Sequence, residues 1–452
     1  LLESRTRTRA TAMPRAPLLL AVLPLAWAGA ASAPLLEQRV LPRHSVSGFS
    51  AGASIALNHL VAYSDICDGV GIIGGSPYGC NTVPDSSNSC SGYVSHPPNA
   101  HLENKSIPWN TWVDGIRRGY LNQRAASERI AALSNLVDKP VFLFSGLDDV
   151  WVYQSVMRAV ADQFRNLSAR VKTEFTYYAA HAWVVDRETC VHAGVQEARD
   201  ECCGFKNGST KCPLPPHNRA VSPLGCCGIC SSGDEDDRTN TTVPMSAGWR
   251  PPINSCDYDL AGAILRWILG AANVAPRAAS GAVVPSNLIA VQQAQFLPNG
   301  SSLRSALLDE TGFVYVPSRC RATQASDADA PNATNEQKGR AIPGGRSAVR
   351  PLFSSACRIH VHYHPCGGGW RTLSLSYMLQ NALPAYAETN DVVLLYPQSS
   401  AGGDNPVGGG CFDWFGATGE AFDTRSGVQI NTVLNMMTML REEEEVWKEG
   451  RL

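Results

Sequence analysis

The chain has 452 residues, 44% of them hydrophobic and 17% charged, and a formal net charge of −2. This is the make-up of a globular protein, and it excludes the basic field on which a nucleic-acid binder depends. At roughly 150 residues per domain the length admits two or three domains, fewer if part of the chain is insertion.

Met13-Pro14-Arg15, the apolar run from Ala16 to Trp27 and the small residues Ala28 to Ala33 have the layout of a secretory signal peptide, with cleavage after Ala30, Ala31 or Ala33. No later run of about 20 apolar residues could span a bilayer, so an exported, soluble chain is expected. Fifteen cysteines fit an oxidising compartment, and their odd number implies a free thiol or an intermolecular bridge. Six Asn-x-Ser/Thr sequons, at Asn104, Asn166, Asn207, Asn240, Asn299 and Asn332, agree with export.

Past the signal, Gly48-Phe49-Ser50-Ala51-Gly52 opens the first helix, Ala51 to Tyr63. Strands are expected at Gly69 to Ile73, Pro140 to Ser145 and Lys172 to Tyr178, with a helix at Val150 to Arg165. An amphipathic helix follows at Asp259 to Leu269, closed by Gly270. Further on come strands at His360 to His364 and Val392 to Tyr396, a helix at Gly427 to Leu440, and a Glu-rich tail. This alternation predicts an α/β fold with a mainly parallel central sheet.

Two segments read as insertions. The cysteine-rich stretch 190–256 has too few aliphatic residues for its own core, so disulfides must hold it. The stretch 321–354, rich in Ala, Ser, Asp, Asn, Pro and Gly, reads as a flexible loop. The expected organisation is therefore a signal peptide with upstream residues over 1–33 and one catalytic domain over 34–452 carrying both.

A Gly-x-Ser-x-Gly elbow ordinarily comes after several strands, one of which ends in the backbone donors that hold the reaction's oxyanion. Here those strands are missing upstream. A replacement runs from Cys357 to Gly369 and on through Asp391 to Pro397, so the order of parts is that of a circularly permuted α/β-hydrolase.

Ser50 is the candidate nucleophile, because small residues at 48 and 52 permit the sharp strand-to-helix turn that exposes its Oγ. A serine nucleophile needs a base and a carboxylate to orient it. His181, in the turn after the Lys172 to Tyr178 strand, is the candidate base, and Asp148 or Asp149 the acid. The N–H of Ala51 and one from the turn after His364 would form the oxyanion hole; Pro365 has no N–H, which makes Cys366 the first donor.

Other chemistries were weighed. His360, His362 and His364 share a strand face and could bind zinc, but they sit in a core strand. Gly69 to Gly74 imitates a dinucleotide fingerprint, yet a helix precedes it and Gly75-Ser76-Pro77 follows. Cys227 and Cys230 form half a zinc site without a matching half, and export favours disulfides. No cofactor and no metal are expected.

The chain resembles the extracellular poly(3-hydroxybutyrate) depolymerases whose catalytic domain is a circularly permuted α/β-hydrolase. Ser47-Gly48-Phe49-Ser50-Ala51-Gly52, Gly74 to Cys80, Phe144 to Val152, Ala180 to Trp183, Ile253 to Asp259, His364 to Gly367 and Cys411 to Gly416 carry the resemblance. These run in family order over residues 45–440, outside the two insertions.

The resemblance implies Asp149 rather than Asp148 as the acid, and Cys366 as the second oxyanion donor, with Pro365 where the family has glycine. It implies a substrate-binding role for Trp414 at the cleft mouth. It also implies disulfides Cys80–Cys90, Cys190 or an insertion cysteine with Cys256, Cys320–Cys357 and Cys366–Cys411.

The expected activity is that of a secreted, monomeric serine esterase cleaving poly(3-hydroxybutyrate) or its oligomers, with no nucleic-acid or membrane partner. No separate C-terminal polymer-binding domain is visible, so the catalytic surface itself would grip polymer, or the enzyme would act on soluble oligomers. The alternatives are a feruloyl or acetyl-xylan type esterase and a catalytically inert secreted binding protein.

Overall fold

The computed structural model describes residues 41–80, 109–147, 149, 151–177, 179, 181–186, 253–255, 258–278, 283–322, 351–401, 405 and 410–441, and for 109–117, 254 and 255 the backbone alone. All lie in the second of the chain's two units, Val40–Leu452. The expected signal peptide, most of the cysteine-rich insertion, 323–350 and the Glu-rich tail lie outside the described residues.

The first strand among the described residues, β1 (His44–Phe49), is fully buried, and its side chains alternate. Val46 joins one apolar cluster and Phe49 the other, on opposite faces of the sheet. Helix α1 (Ala51–Ala62) follows, every residue of it buried, and returns to β2 (Cys67–Ile73). Helix α2 (Trp109–Ala126), β3 (Pro140–Phe144), α3 (Gln154–Arg165) and β4 (Arg170–Glu174) complete the first half.

A short parallel pair, β5 (Trp183–Val185) with β6 (Ile253–Ser255), brackets the cysteine-rich stretch, whose last residues are thus strand. Then come α4 (Leu260–Leu269), β7 (Leu288–Gln292), β8 (Thr311–Tyr315), β9 (Arg358–Tyr363), α5 (Leu383–Asn390), β10 (Val392–Tyr396) and α6 (Val428–Leu440). Asp259 caps α4 by accepting the Gly262 N–H, and Gly270 ends it at φ 89°, a conformation glycine adopts without Cβ strain.

The strands form one sheet in the order β4-β3-β2-β1-β9-β10-β8-β7. Pairing is parallel from β4 to β10 and antiparallel for β8 and β7. The earliest of the described strands, β1, therefore lies inside the sheet. The chain lays β2 to β4 on one side of it and, after the first insertion, β7 to β10 on the other, the second insertion falling between β8 and β9. That is the permuted order expected from the position of Ser50.

Two elements begin or end elsewhere than the sequence suggests. Helix α3 starts at Gln154 rather than Val150, because the Asp149 carboxylate accepts the N–H groups of Trp151 and Val152 and holds that segment in a turn. Strand β4 ends at Glu174, whose partner Phe144 is the last residue of β3, so beyond it no ladder continues. The antiparallel edge β7–β8 is an element the sequence reading did not place.

Apolar residues cover both faces. One cluster gathers Val70, Val141, Val361 and Leu395 under α1, α3 and α6; the other gathers Phe142, Phe144, Leu394 and Tyr396 under α4 and α5. Disulfides Cys320–Cys357 and Cys366–Cys411 are present as the resemblance implied. Cys80 is also disulfide-bonded, while Cys90, Cys190 and Cys256 lie outside the described residues. Cys67 is a free, buried thiol, pushed up to about 12 by burial.

Candidate active site

Ser50 stands between β1 and α1 at φ 58° and ψ −124°, a left-handed backbone that costs a serine about 1–3 kcal/mol. The bend is possible because its flanks are glycine. A Cβ on Gly48 would lie 2.0 Å from the Gly52 carbonyl oxygen, and one on Gly52 would lie 2.3 Å from the Tyr363 carbonyl oxygen. The second contact seats the start of α1 against the end of β9. The N–H groups of Ala51 and Gly52 open the helix and have no acceptor inside it.

Asp149 and His181 come from loops beyond β3 and β4. His181 Nδ1 lies 2.9 Å from Asp149 Oδ2, and both side chains are buried. The other oxygen of Asp149 accepts from the N–H groups of Trp151 at 3.0 Å and Val152 at 2.8 Å, so the carboxylate is held on both sides. The Phe49 ring packs on the His181 ring with centroids 4.7 Å apart. Asp148 lies outside the described residues.

His181 Nε2 is buried and, among the described residues, without a hydrogen-bond partner. The structure thus brings Asp149 to His181 and sets His181 against Phe49, the residue before Ser50, without closing a hydrogen bond from Ser50 Oγ to Nε2. Such bonds commonly shorten only when substrate is bound.

Cys366 follows β9 in a turn closed by Gly368 N–H donating to the Pro365 carbonyl, with Gly367 at φ 66°. Its disulfide to Cys411 ties this turn to the loop bearing Trp414 and Phe415. Asp413 shapes that loop: buried, it accepts N–H groups from Phe415, Gly416, Ala417 and Thr418. Trp414 is half-buried with its ring edge-on to Phe415, which is 39% exposed.

The histidines of β9 are spent on hydrogen bonds rather than gathered for a metal. Ser45 Oγ bonds His360 Nδ1, Ser47 Oγ bridges His360 Nε2 and His362 Nδ1, and His362 Nε2 reaches the Tyr377 hydroxyl, all within 3.0 Å. No group of metal-binding side chains occurs among the described residues. Gly69 and Gly71 lie within β2 itself, where a Cβ would strike Pro140 and Ile264, so they serve strand packing and not a phosphate loop.

Gly74 was missed as a site residue. It has φ +57°, and a Cβ on it would lie 2.9 Å from His181 Cε1 and 3.3 Å from Asp149 Oδ2. The only sign of it in the sequence is the Gly74-Gly75 pair at the end of a strand.

Strand order and the strained serine beside the central strand define this protein as a circularly permuted α/β-hydrolase. Within that class, the chain is similar in sequence and fold to proteins named as poly(3-hydroxybutyrate) depolymerases. It is 24% identical over 399 residues to the poly(3-hydroxybutyrate) depolymerase of Delftia acidovorans, covering 87% of this chain and 58% of that one. It is 25% identical over 438 residues to the polyhydroxybutyrate depolymerase of Talaromyces funiculosus, covering 92% of this chain and 96% of that one. The chain thus spans little more than half of the bacterial relative and nearly all of the fungal one.

Among solved structures, PHB depolymerase from Penicillium funiculosum superposes with a TM-score of 0.55 at 22% identity, covering 89% of this chain and 96% of that one. A serine-to-alanine variant of PHB depolymerase complexed with an R3HB trimer gives 0.56 at 22% identity, covering 89% and 98%. No family model matches the chain.

Proposed function

We propose that the protein is a secreted serine esterase that cleaves the ester bonds of poly(3-hydroxybutyrate) or its oligomers through an acyl-enzyme. Its signal peptide would be removed, leaving one catalytic domain with two insertions, active as a monomer without cofactor. The observation that carries the reading is the pairing of a strained Ser50 with a buried His181 whose Nδ1 is held by Asp149 and whose Nε2 is unused. Relatives named as depolymerases of this polyester supply the substrate class.

In the first step Ser50 Oγ attacks the ester carbonyl and His181 Nε2 takes its proton. Asp149 fixes the tautomer with the proton on Nδ1 and stabilises the imidazolium that forms. The N–H groups of Ala51 and Cys366 meet the oxyanion, each worth roughly 10²–10³-fold in kcat. His181 then gives its proton to the departing hydroxyl end of the chain. Water, activated by the same nitrogen, releases the 3-hydroxyacyl product. Trp414 and Phe415 offer an apolar surface beside the cleft on which the methyl-bearing polyester backbone can lie.

The test is release of 3-hydroxybutyrate from amorphous polymer by the purified protein, with S50A and a short p-nitrophenyl ester alongside. Polymer hydrolysis that disappears in S50A supports the proposal. Hydrolysis of the small ester alone moves the substrate to feruloyl or acetyl esters. A folded protein whose serine ignores an organophosphonate probe is an inert binding protein.

A further inference from the structure

Pro365 and Cys366 share one peptide unit, so whatever holds the Pro365 carbonyl also sets the direction of the Cys366 N–H, which points the opposite way across a trans peptide. Two donors hold that carbonyl. Gly368 N–H donates to it at 2.9 Å, and His364 Nδ1 lies 2.7 Å away.

The tautomer of His364 follows from its other nitrogen. The backbone N–H of Ser399 can only donate, and it meets His364 Nε2 at 3.1 Å. Nε2 is therefore the acceptor, and the ring proton sits on Nδ1, where it donates to the Pro365 carbonyl. The ring has no room to swing: it is buried, packs on Phe412 at 4.7 Å, and a Cβ on Gly369 would lie 3.4 Å from Cε1 and Nε2. Ser399 is itself pinned by its hydroxyl donating to the Gly410 carbonyl at 2.8 Å.

We propose that His364 is a positioning residue for ester hydrolysis, its Nδ1–H locking the Pro365–Cys366 peptide so that the Cys366 N–H is aimed at the developing oxyanion. The inference rests on the oxyanion role given to Cys366 above. It accounts for the proline at 365: this residue brings no N–H, and the turn takes its orientation from the carbonyl side instead.

The experiment compares an ester with its thionoester analogue, whose sulfur accepts hydrogen bonds poorly, in the wild type and in two His364 variants. H364N keeps a donor where Nδ1 stood; H364Q places its amide near Ser399 and leaves the Pro365 carbonyl with Gly368 alone. The expected result is a fall of roughly 10–100-fold in ester kcat for H364Q, with KM within about threefold and the thionoester rate little changed. H364N should restore most of the preference for oxygen over sulfur.

An H364Q ratio equal to that of the wild type, or an H364N ratio as low as that of H364Q, overturns the proposal. A wild type without preference for the oxygen ester defeats the oxyanion reading itself, a distinguishable outcome. Should H364Q fail to fold, S399P approaches the same ring from its other side by deleting the donor to Nε2. It should lower the ratio too, and an unchanged ratio there also overturns the proposal.

Discussion

Two sets of buried histidines occupy opposite ends of the same polar inventory. Under the sheet, His360 and His362 use both ring nitrogens against Ser45, Ser47 and Tyr377. A second chain runs on the other face, with Tyr363 hydroxyl to His59 Nδ1 at 2.8 Å, His59 Nε2 to His44 Nε2 at 2.9 Å, and His44 Nδ1 to the Pro42 carbonyl at 2.9 Å. Since the carbonyl can only accept, His44 donates through Nδ1, His59 donates to His44, and Tyr363 donates to His59. At the strand ends, His181 satisfies Nδ1 alone. A buried polar atom left unpaired costs about 1–3 kcal/mol, so the paired rings read as architecture and the unpaired one as a reagent in waiting.

The contrast can be broken most severely at the reagent end. S50A should lose about 10⁴-fold or more in esterase rate while its melting temperature stays within a few degrees, read by p-nitrophenyl ester turnover and calorimetry. D149N, which lets His181 take the wrong tautomer, should lower kcat by about 10⁴-fold with KM little altered. H360A belongs to the other set. It strands the Ser45 hydroxyl, leaves Ser47 with His362 alone and opens a cavity, and should cost about 2–4 kcal/mol in urea unfolding while turnover per folded molecule is kept.

Acid sharpens the same comparison. Burial lowers His44 and His364 to about 4 and His360 to about 3, against an ordinary value of 6.5. Between these values the unfolded chain binds protons that the folded one refuses, so stability is complete above pH 6.5 and declines as pH falls toward 4. The urea midpoint should drop steadily over that window, and a flat profile would contradict neutral buried rings. The smallest effect is expected from F415A: less than twofold on a soluble ester, and about threefold weaker retention on polymer particles, roughly 0.7 kcal/mol.

Much of this was legible in the chain. Ser50 between glycines, with its helix behind and no strands ahead, announces both the elbow and the permutation. Local pattern also gave β2, β3, β10, α1, α4 and α6 nearly to the residue. Legibility stopped where structure depends on partners distant in sequence. The histidines of β9 alternate like metal ligands, and only the facing serines of β1, 315 and 313 residues away, reveal them as a hydrogen-bonded ladder. The edge pair β7–β8 was missed because its strands are only five residues each and show no clean alternation of apolar and polar side chains. Gly74 and His364 act through backbone geometry, which no residue type spells out.

Because β1 takes its second neighbour from β9, with Ser45 paired to His360 and Gly48 to Tyr363, β1 leaves the ribosome some three hundred residues before the strand it must pair with. During synthesis β1 to β4 can assemble as a half-sheet whose exposed margin is the strand that leads into Ser50. Closing it requires contacts of very high sequence separation, the kind that slow folding and leave sticky edges open to other chains. The candidate site therefore comes together late, when β9 and β10 dock beside β1. A truncated or stalled nascent chain carries Ser50 without the 364–367 turn and with the open edge of β1 free to pair with other chains.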